Sequence, residues 1–295
     1  MPRQTAATLY ALSAVFLWST VASAFKLSLR DLSIFELLLY ASLTALFALV
    51  TIVVLSGQLP VLFRATRRDL VFSGLQGLLN PLVFYLALFQ AYDLLPAQEA
   101  QPLNFTWAIT LSLLSVPLLK QPLRFVDILA LIISYSGVYV IATRGDIASF
   151  SFSNPFGVAL ALGSTVVWAL YWIFNTRDSM EPVCRLFLNF CCGTGFIGLI
   201  VLFGPGLSLP GCAGLLGAMY VGLFEMGLTF ILWGKALKLS KSALQVSIFI
   251  YLSPFLSLVF IHVLVGEIIR GSSIAGLVLI MSGIGLQQAL SLLRA

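Results

Sequence analysis

Charge is what this sequence has least of. In 295 residues there are 16 Lys and Arg, 11 Asp and Glu, and one histidine. A soluble domain of this size cannot cover its surface with so few charges. The single histidine, His262, and the lack of a deep Asp pair or a Ser–His arrangement leave no constellation for hydrolytic chemistry. The four cysteines, Cys184, Cys191, Cys192 and Cys212, lack metal-ligand spacing and read as small apolar packing residues. Neither a metal nor a cofactor is expected. No basic run exceeds "RATRR" at 64–68, so the net charge of +5 does not signal nucleic-acid binding.

What the chain has in abundance is apolar length. Its mean hydropathy is +1.05, and phenylalanine alone occurs 23 times. Apolar runs lie at 5–25, 33–56, 70–92, 96–118, 124–143, 154–174, 182–203, 212–234, 242–265 and 272–292. Runs of about 20 residues match a hydrocarbon core of ~30 Å at 1.5 Å per residue. Each must be a helix, because lipid offers backbone groups no partner. The expected fold class is an all-α integral membrane protein with ten transmembrane helices. The first run ends in "ASAF" (22–25), which resembles a signal-peptidase site. Its weak basic flank and the interruption at Trp18–Thr20 favour a retained helix.

Orientation follows from the basic residues of the connections. With the N-terminus inside, one side holds Arg3, Arg64, Arg67, Arg68, Lys120, Arg124, Arg177, Arg185, Lys235, Lys238, Lys241 and Arg294. The other holds only Lys26, Arg30, Arg144 and Arg270. Both termini are therefore expected in the cytoplasm.

The chain also resembles itself at an offset of 145–150 residues. "SAVFLW" (13–18) echoes "STVVW" (164–168), "AYDLLPAQEAQ" (91–101) lies over "ALKLSKSALQV" (236–246), and Ser136-Gly137 meets Ser282-Gly283. Two halves, 1–147 and 148–295, each carry five runs. An odd number per half sends the second half in from the opposite side, which makes inverted five-helix repeats. That is a transporter arrangement, with a site expected near the midplane.

Polar residues at run centres are costly, so they mark where function is sought. Asn80 lies centrally in the third run. Glu225 lies centrally in the eighth and is the only carboxylate so deep. The repeat offset maps one onto the other. In the fourth run Gln98, Gln101, Asn104 and Trp107 are spaced by three and follow one face. Pro102 removes a backbone donor within that face, and Pro81 and Pro254 do the same in the third and ninth runs. Trp172 and Trp233 sit near run ends, as headgroup-belt tryptophans do. Trp18, Trp107 and Trp168 sit near run centres, where they serve either ordinary packing or stacking on a planar substrate. The fifth and tenth runs carry small-residue surfaces, "SYSGVYV" and "GLVLIMSGIG", read as packing faces or as the contact of a homodimer.

With ten runs, two halves and the early "LWST", the chain resembles the EamA branch of the drug/metabolite transporter superfamily. The segment "NPLVFYLALFQAYDLLPAQEAQPLNFTWAI" (80–109) and the midplane aromatics are most similar to its bacterial aromatic amino-acid exporters. That resemblance implies a multi-pass inner-membrane exporter of Phe, Tyr, Trp and xenobiotics such as methyl viologen. It also implies helices 1, 3, 4, 6, 8 and 9 around a central cavity. An aromatic zwitterion needs a ring slot, which Trp18, Tyr85, Trp107 and Trp168 offer. It needs carboxylate donors, which Asn80, Gln98 and Gln101 offer, and an ammonium acceptor, which Glu225 or a freed carbonyl offers. No run centre holds Lys or Arg, which argues against strongly anionic substrates. The competing expectation is an exporter of cationic drugs that relies on Glu225. An intramembrane enzyme or a scaffold fits less well, since neither needs midplane polar groups in a repeated frame.

Overall fold

The computed structural model describes residues 3–292 except 123, 149–150, 153, 177, 205, 209, 241–245 and 247; the side chains of 288–292 are also outside the description. Arg177, Lys241 and Arg294 of the charge comparison thus lie outside the described residues. Among the described residues all regular structure is helical. The helices are α1 (Arg3–Ser28), α2 (Ile34–Leu55), α3 (Arg67–Leu94), α4 (Ala97–Leu119), α5 (Phe125–Ala142), α6 (Pro155–Asn175), α7 (Pro182–Phe203), α8 (Cys212–Leu239), α9 (Ile248–Val265) and α10 (Gly271–Leu292). The first eight are long and apolar enough to cross a membrane; Phe249–Val265 and Gly271–Gln287 are shorter apolar helices. Among the described residues these ten helices match the ten apolar runs, and a further short helix, Leu59–Phe63, lies in the link between α2 and α3.

Helix ends are specified locally. Ser33 and Glu36 close a capping box on α2, and Thr66 and Asp69 close one on α3. The Asn154 side chain accepts from the Gly157 amide at the start of α6, with Pro155 in the first helical position.

Four helices are not continuous. Helix α3 is interrupted by a wider π turn over Leu78–Val83, where Asn80 adopts extended angles (φ −140°, ψ 116°) ahead of Pro81. The Asn80–Pro81 peptide is cis. Helix α8 is interrupted by a π turn over Val221–Glu225, followed by Gly227 at φ −125°, ψ −89°. Helix α4 breaks at Thr106, one turn after Pro102, and α9 passes from a 3₁₀ turn at Ile248–Tyr251 into regular helix at Leu252. The offset of 145 that maps Asn80 onto Glu225 also maps Thr106 onto Tyr251.

The chain forms two compact units, each drawing helices from both sequence halves. The first comprises Met1–Leu86 and Ser179–Val265, and the second Ala87–Asp178 and Gly266–Ala295. In the first unit, Ala7 and Ala11 of α1 pack on Ala236 and Val246, edged by Tyr10, Trp233 and Phe249. Helix α7 lies so close to the break in α3 that a Cβ on Gly193 would collide with the Pro81 ring and reach 2.8 Å from the Gly77 carbonyl oxygen. Arg185 of α7 is buried; its guanidinium donates to the Asp69 carbonyl (3.0 Å), Ser73 Oγ (2.7 Å) and Asp69 Oδ1 (2.9 Å). This ties α7 to the start of α3.

In the second unit, α5 and α10 pack backbone to backbone. A Cβ on Gly137 would strike the Gly276 carbonyl, one on Gly276 would strike Ile141, and Ser134 Oγ donates to the Ile280 carbonyl at 3.1 Å. The small-residue faces that the sequence offered for a homodimer are therefore spent on each other inside one chain. Small residues permit close approach whether the partner helix belongs to the same chain or to another. Helices α4 and α6 are joined by Asn104–Ser164 (3.0 Å) and Thr110–Thr165 (2.9 Å).

Gly137→Val is expected to lower the thermal midpoint of the detergent-solubilised protein, an overpacking cost of about 1–3 kcal/mol. Gly163→Ala, where an added Cβ meets nothing within 4 Å, is expected to leave it unchanged or slightly raised. Equal midpoints for the two variants would contradict the α5–α10 packing.

Candidate functional site

In the first unit the polar groups gather at the helix breaks. Interrupting α8 frees backbone carbonyls, and the protein answers them: the Met226 amide reaches back to the Val221 carbonyl (3.2 Å), and Thr229 Oγ1 donates to the Phe224 carbonyl. Glu225 closes this turn and is partly exposed. Tyr85, buried to 1% exposure one turn past the break in α3, donates its hydroxyl to Glu225 Oε1 at 3.3 Å. Asn80 is 3% exposed, and its Oδ1 has no hydrogen-bond partner among the described residues. An unpaired buried amide oxygen costs about 1–3 kcal/mol, so such an atom calls for an explanation such as a ligand. The interruptions thus bring Tyr85 to Glu225 and leave Asn80 with an open acceptor.

Trp18 is partly exposed, with its ring centroid 5.7 Å from Phe230 (edge-on) and 5.6 Å from Trp233. Both partners lie in the half of α8 beyond the break. Trp233, read from sequence as a headgroup-belt residue, is one member of this aromatic cluster. On the neighbouring turn Thr20 Oγ1 and the Tyr220 hydroxyl are 2.6 Å apart.

The candidate residues of the second unit divide into engaged and open. Gln98 is engaged: its Nε2 donates to the Ile268 carbonyl (3.0 Å), and its Oε1 accepts from the Arg270 amide (2.8 Å) and Ser273 Oγ (3.1 Å). The geometry gives Gln98 the task of fastening the start of α10 to the start of α4. Gln101 is 5% exposed, with Oε1 lacking a partner among the described residues. Asn104 spends its amide on Ser164. Trp107 begins the second half of α4 and is partly exposed. Trp168 is buried, stacked on Tyr171 (5.6 Å, 24°) and edge-on to Trp172 (6.0 Å, 81°), so the residues at i, i+3 and i+4 form an aromatic ladder along α6.

Sequence reasoning missed an ionic cluster at one end of the second unit. Glu99 is 1% exposed, and its Oε1 accepts from Arg144 Nε (2.8 Å) and Arg270 Nη1 (2.5 Å). Glu267 accepts from the Ala97 and Gln98 amides at 2.7 and 3.1 Å, capping the N-terminus of α4. The signal was present: Arg144 and Arg270 are two of the four cations assigned to the poorly charged side, and Glu99 lies at the same end of its run. Among the described residues no group of His, Cys, Asp or Glu is arranged to hold a metal.

Ten apolar helices, several interrupted where buried polar groups meet, define a multi-pass membrane carrier. The EamA-like transporter family matches residues 5–143 and again 155–287, and the chain belongs to it. An uncharacterized transporter of Archaeoglobus fulgidus is 25% identical over 92% of this chain and 94% of its own length. The uncharacterized transporter YvbV of Bacillus subtilis is 25% identical over 70% of this chain and 68% of its own. The aromatic amino acid exporter YddG of Ancylobacter novellus is 24% identical over 62% and 63%. A solved crystal structure with 24% sequence identity shares the fold over 99% of both chains, with a TM-score of 0.66.

Gln98→Leu strips both polar ends of a fastening contact. It is expected to lower the thermal midpoint while leaving the ranking of transported substrates intact. Glu99→Gln is expected to cost about 1–2 kcal/mol of stability, moderated because both arginines are two-fifths exposed and rehydrate. A change of substrate ranking in Gln98→Leu without loss of stability would return Gln98 to the binding residues.

Proposed function

We propose that this transporter exports aromatic amino acids, Phe, Tyr and Trp, and related compounds across the bacterial inner membrane by alternating access, with both termini cytoplasmic. The observation that carries the reading is the Tyr85–Glu225 pair at the interrupted turns of α3 and α8. The tyrosine hydroxyl engages one carboxyl oxygen, which leaves Glu225 with acceptor capacity for an ammonium group. The open Oδ1 of Asn80 adds a second acceptor. The Tyr85 ring and, farther along α8, the Trp18 cluster supply aromatic surface in the same unit. The second unit carries residues of the same kind in Gln101, Asn104, Trp107 and Trp168, each to be tested by its own substitution. Gln98 is left out of the proposal because its amide is engaged. The relative named as an aromatic amino acid exporter supports the substrate class.

A second reading, export of cationic xenobiotics such as methyl viologen, is favoured by the same carboxyl group, for which no cationic partner is found among the described residues. The two readings separate in liposomes loaded with labelled phenylalanine, lysine or methyl viologen. Fast phenylalanine efflux with little lysine efflux is the expected result, and Glu225→Gln is expected to reduce it at least tenfold, a loss of about 1.4 kcal/mol. Methyl viologen efflux without phenylalanine efflux would move the function to drug export.

A further inference from the structure

The second unit holds an open cavity of about 920 Å³ that none of the candidate substrate residues lines. Its walls come from the second half of α4 (Leu111, Ser115), the start of α5 (Arg124, Phe125), the end of α6 (Trp172) and Gln287 of α10. The volume is that of a site for a drug-sized molecule. The wall is amphipathic: Leu111, Phe125 and Trp172 offer apolar surface, and Ser115 and Gln287 add polar atoms whose donors are engaged by the Leu111 carbonyl and by Ser112 and Asp127.

The charge at the mouth is lopsided. Asp127, the acid that lines the cavity, has both oxygens occupied: Oδ1 accepts from Gln287 Nε2 and Oδ2 from the Arg124 backbone amide, each at 3.0 Å. Arg124 lines the cavity, and Lys120 stands at the other end of the same short link, capping α4. Both are exposed, and neither forms an ion pair among the described residues. Trp172 is 38% exposed near the end of a long apolar helix. Tryptophan in that setting favours the depth of the lipid headgroups, where phosphate and glycerol lie. An apolar wall, two cations (Arg124 in the lining and Lys120 beside it) against the single Asp127 carboxylate, and an interfacial tryptophan at one helix-end cavity match the parts of an anionic phospholipid.

We propose that this cavity binds one anionic phospholipid, with its phosphate on Arg124 and Lys120 and its acyl chains along the apolar wall. A soluble anion would have no use for that wall, and a zwitterionic lipid would bring a cation to a mouth already positive. The lipid would fasten the ends of α4, α5, α6 and α10 in the second unit to its own leaflet.

Native mass spectrometry of the purified full chain tests this, with phosphatidylglycerol and phosphatidylcholine of identical acyl chains titrated separately. The expected result is one phosphatidylglycerol retained in preference to phosphatidylcholine. Lys120→Gln with Arg124→Gln is expected to lower its retention roughly fivefold for each basic residue removed. Lys120→Arg with Arg124→Lys keeps the charges and is expected to keep the lipid. Arg67→Gln with Arg68→Gln removes two exposed cations at the start of α3 and is expected to change nothing. Equal retention of the two lipids by the unaltered protein would overturn the proposal without recourse to any variant. So would equal losses in the two glutamine pairs, which would reveal diffuse attraction, or displacement of the lipid by inorganic phosphate.

Discussion

A backbone group left without a partner in hydrocarbon costs several kcal/mol, and this constraint governs where the helices are allowed to break. The interruptions of α3 and α8 fall where protein groups supply what the regular ladder has lost. The Thr229 hydroxyl takes the Phe224 carbonyl, and the Met226 amide reaches Val221. Helix α7 seals the α3 break by presenting Gly193 to Pro81, a contact that admits no side chain. Positions that tolerate an interrupted backbone are also positions that tolerate a polar side chain in mid-span. Asn80 and Glu225 stand there for one physical reason.

The same scarcity of solvation explains the acids. Ten of the eleven lie in links or in the first or last turn of a helix, where backbone amides and arginines wait for them. Glu36 takes the Ser33 and Ser208 amides, Glu267 caps α4, Asp69 pairs with Arg185, and Glu99 holds two arginines. Glu225 alone lies mid-span, with a tyrosine rather than a cation beside it. Acids that cap helices hold the scaffold, and Glu225 has no capping task.

The sequence made the architecture legible because bilayer thickness imposes run length, and ten apolar runs became ten helices. The helix breaks at Asn80 and Glu225 lie 145 residues apart, as do those at Thr106 and Tyr251. What stayed hidden was partnership. Gln98 looked like a binding residue because its type announces hydrogen-bonding capacity; its actual partners, at 268–273, lie some 170 residues away. Glu99 lies at the end of its apolar run, and position along a run does not reveal burial among neighbouring helices. The glycine faces of α5 and α10 fitted a dimer as well as an internal pair, because close backbone approach requires the same residues in either case.

The central claim is that the carboxyl group at the α8 break receives a substrate ammonium. Equilibrium binding of phenylalanine and of 3-phenylpropionate, which lacks the ammonium group, to the purified protein and to Glu225→Gln tests it most directly. The account predicts that the unaltered protein prefers phenylalanine at least tenfold, about 1.4 kcal/mol, and that Glu225→Gln loses most of that preference. An undiminished preference in Glu225→Gln would show that the ammonium is held elsewhere and would contradict the account.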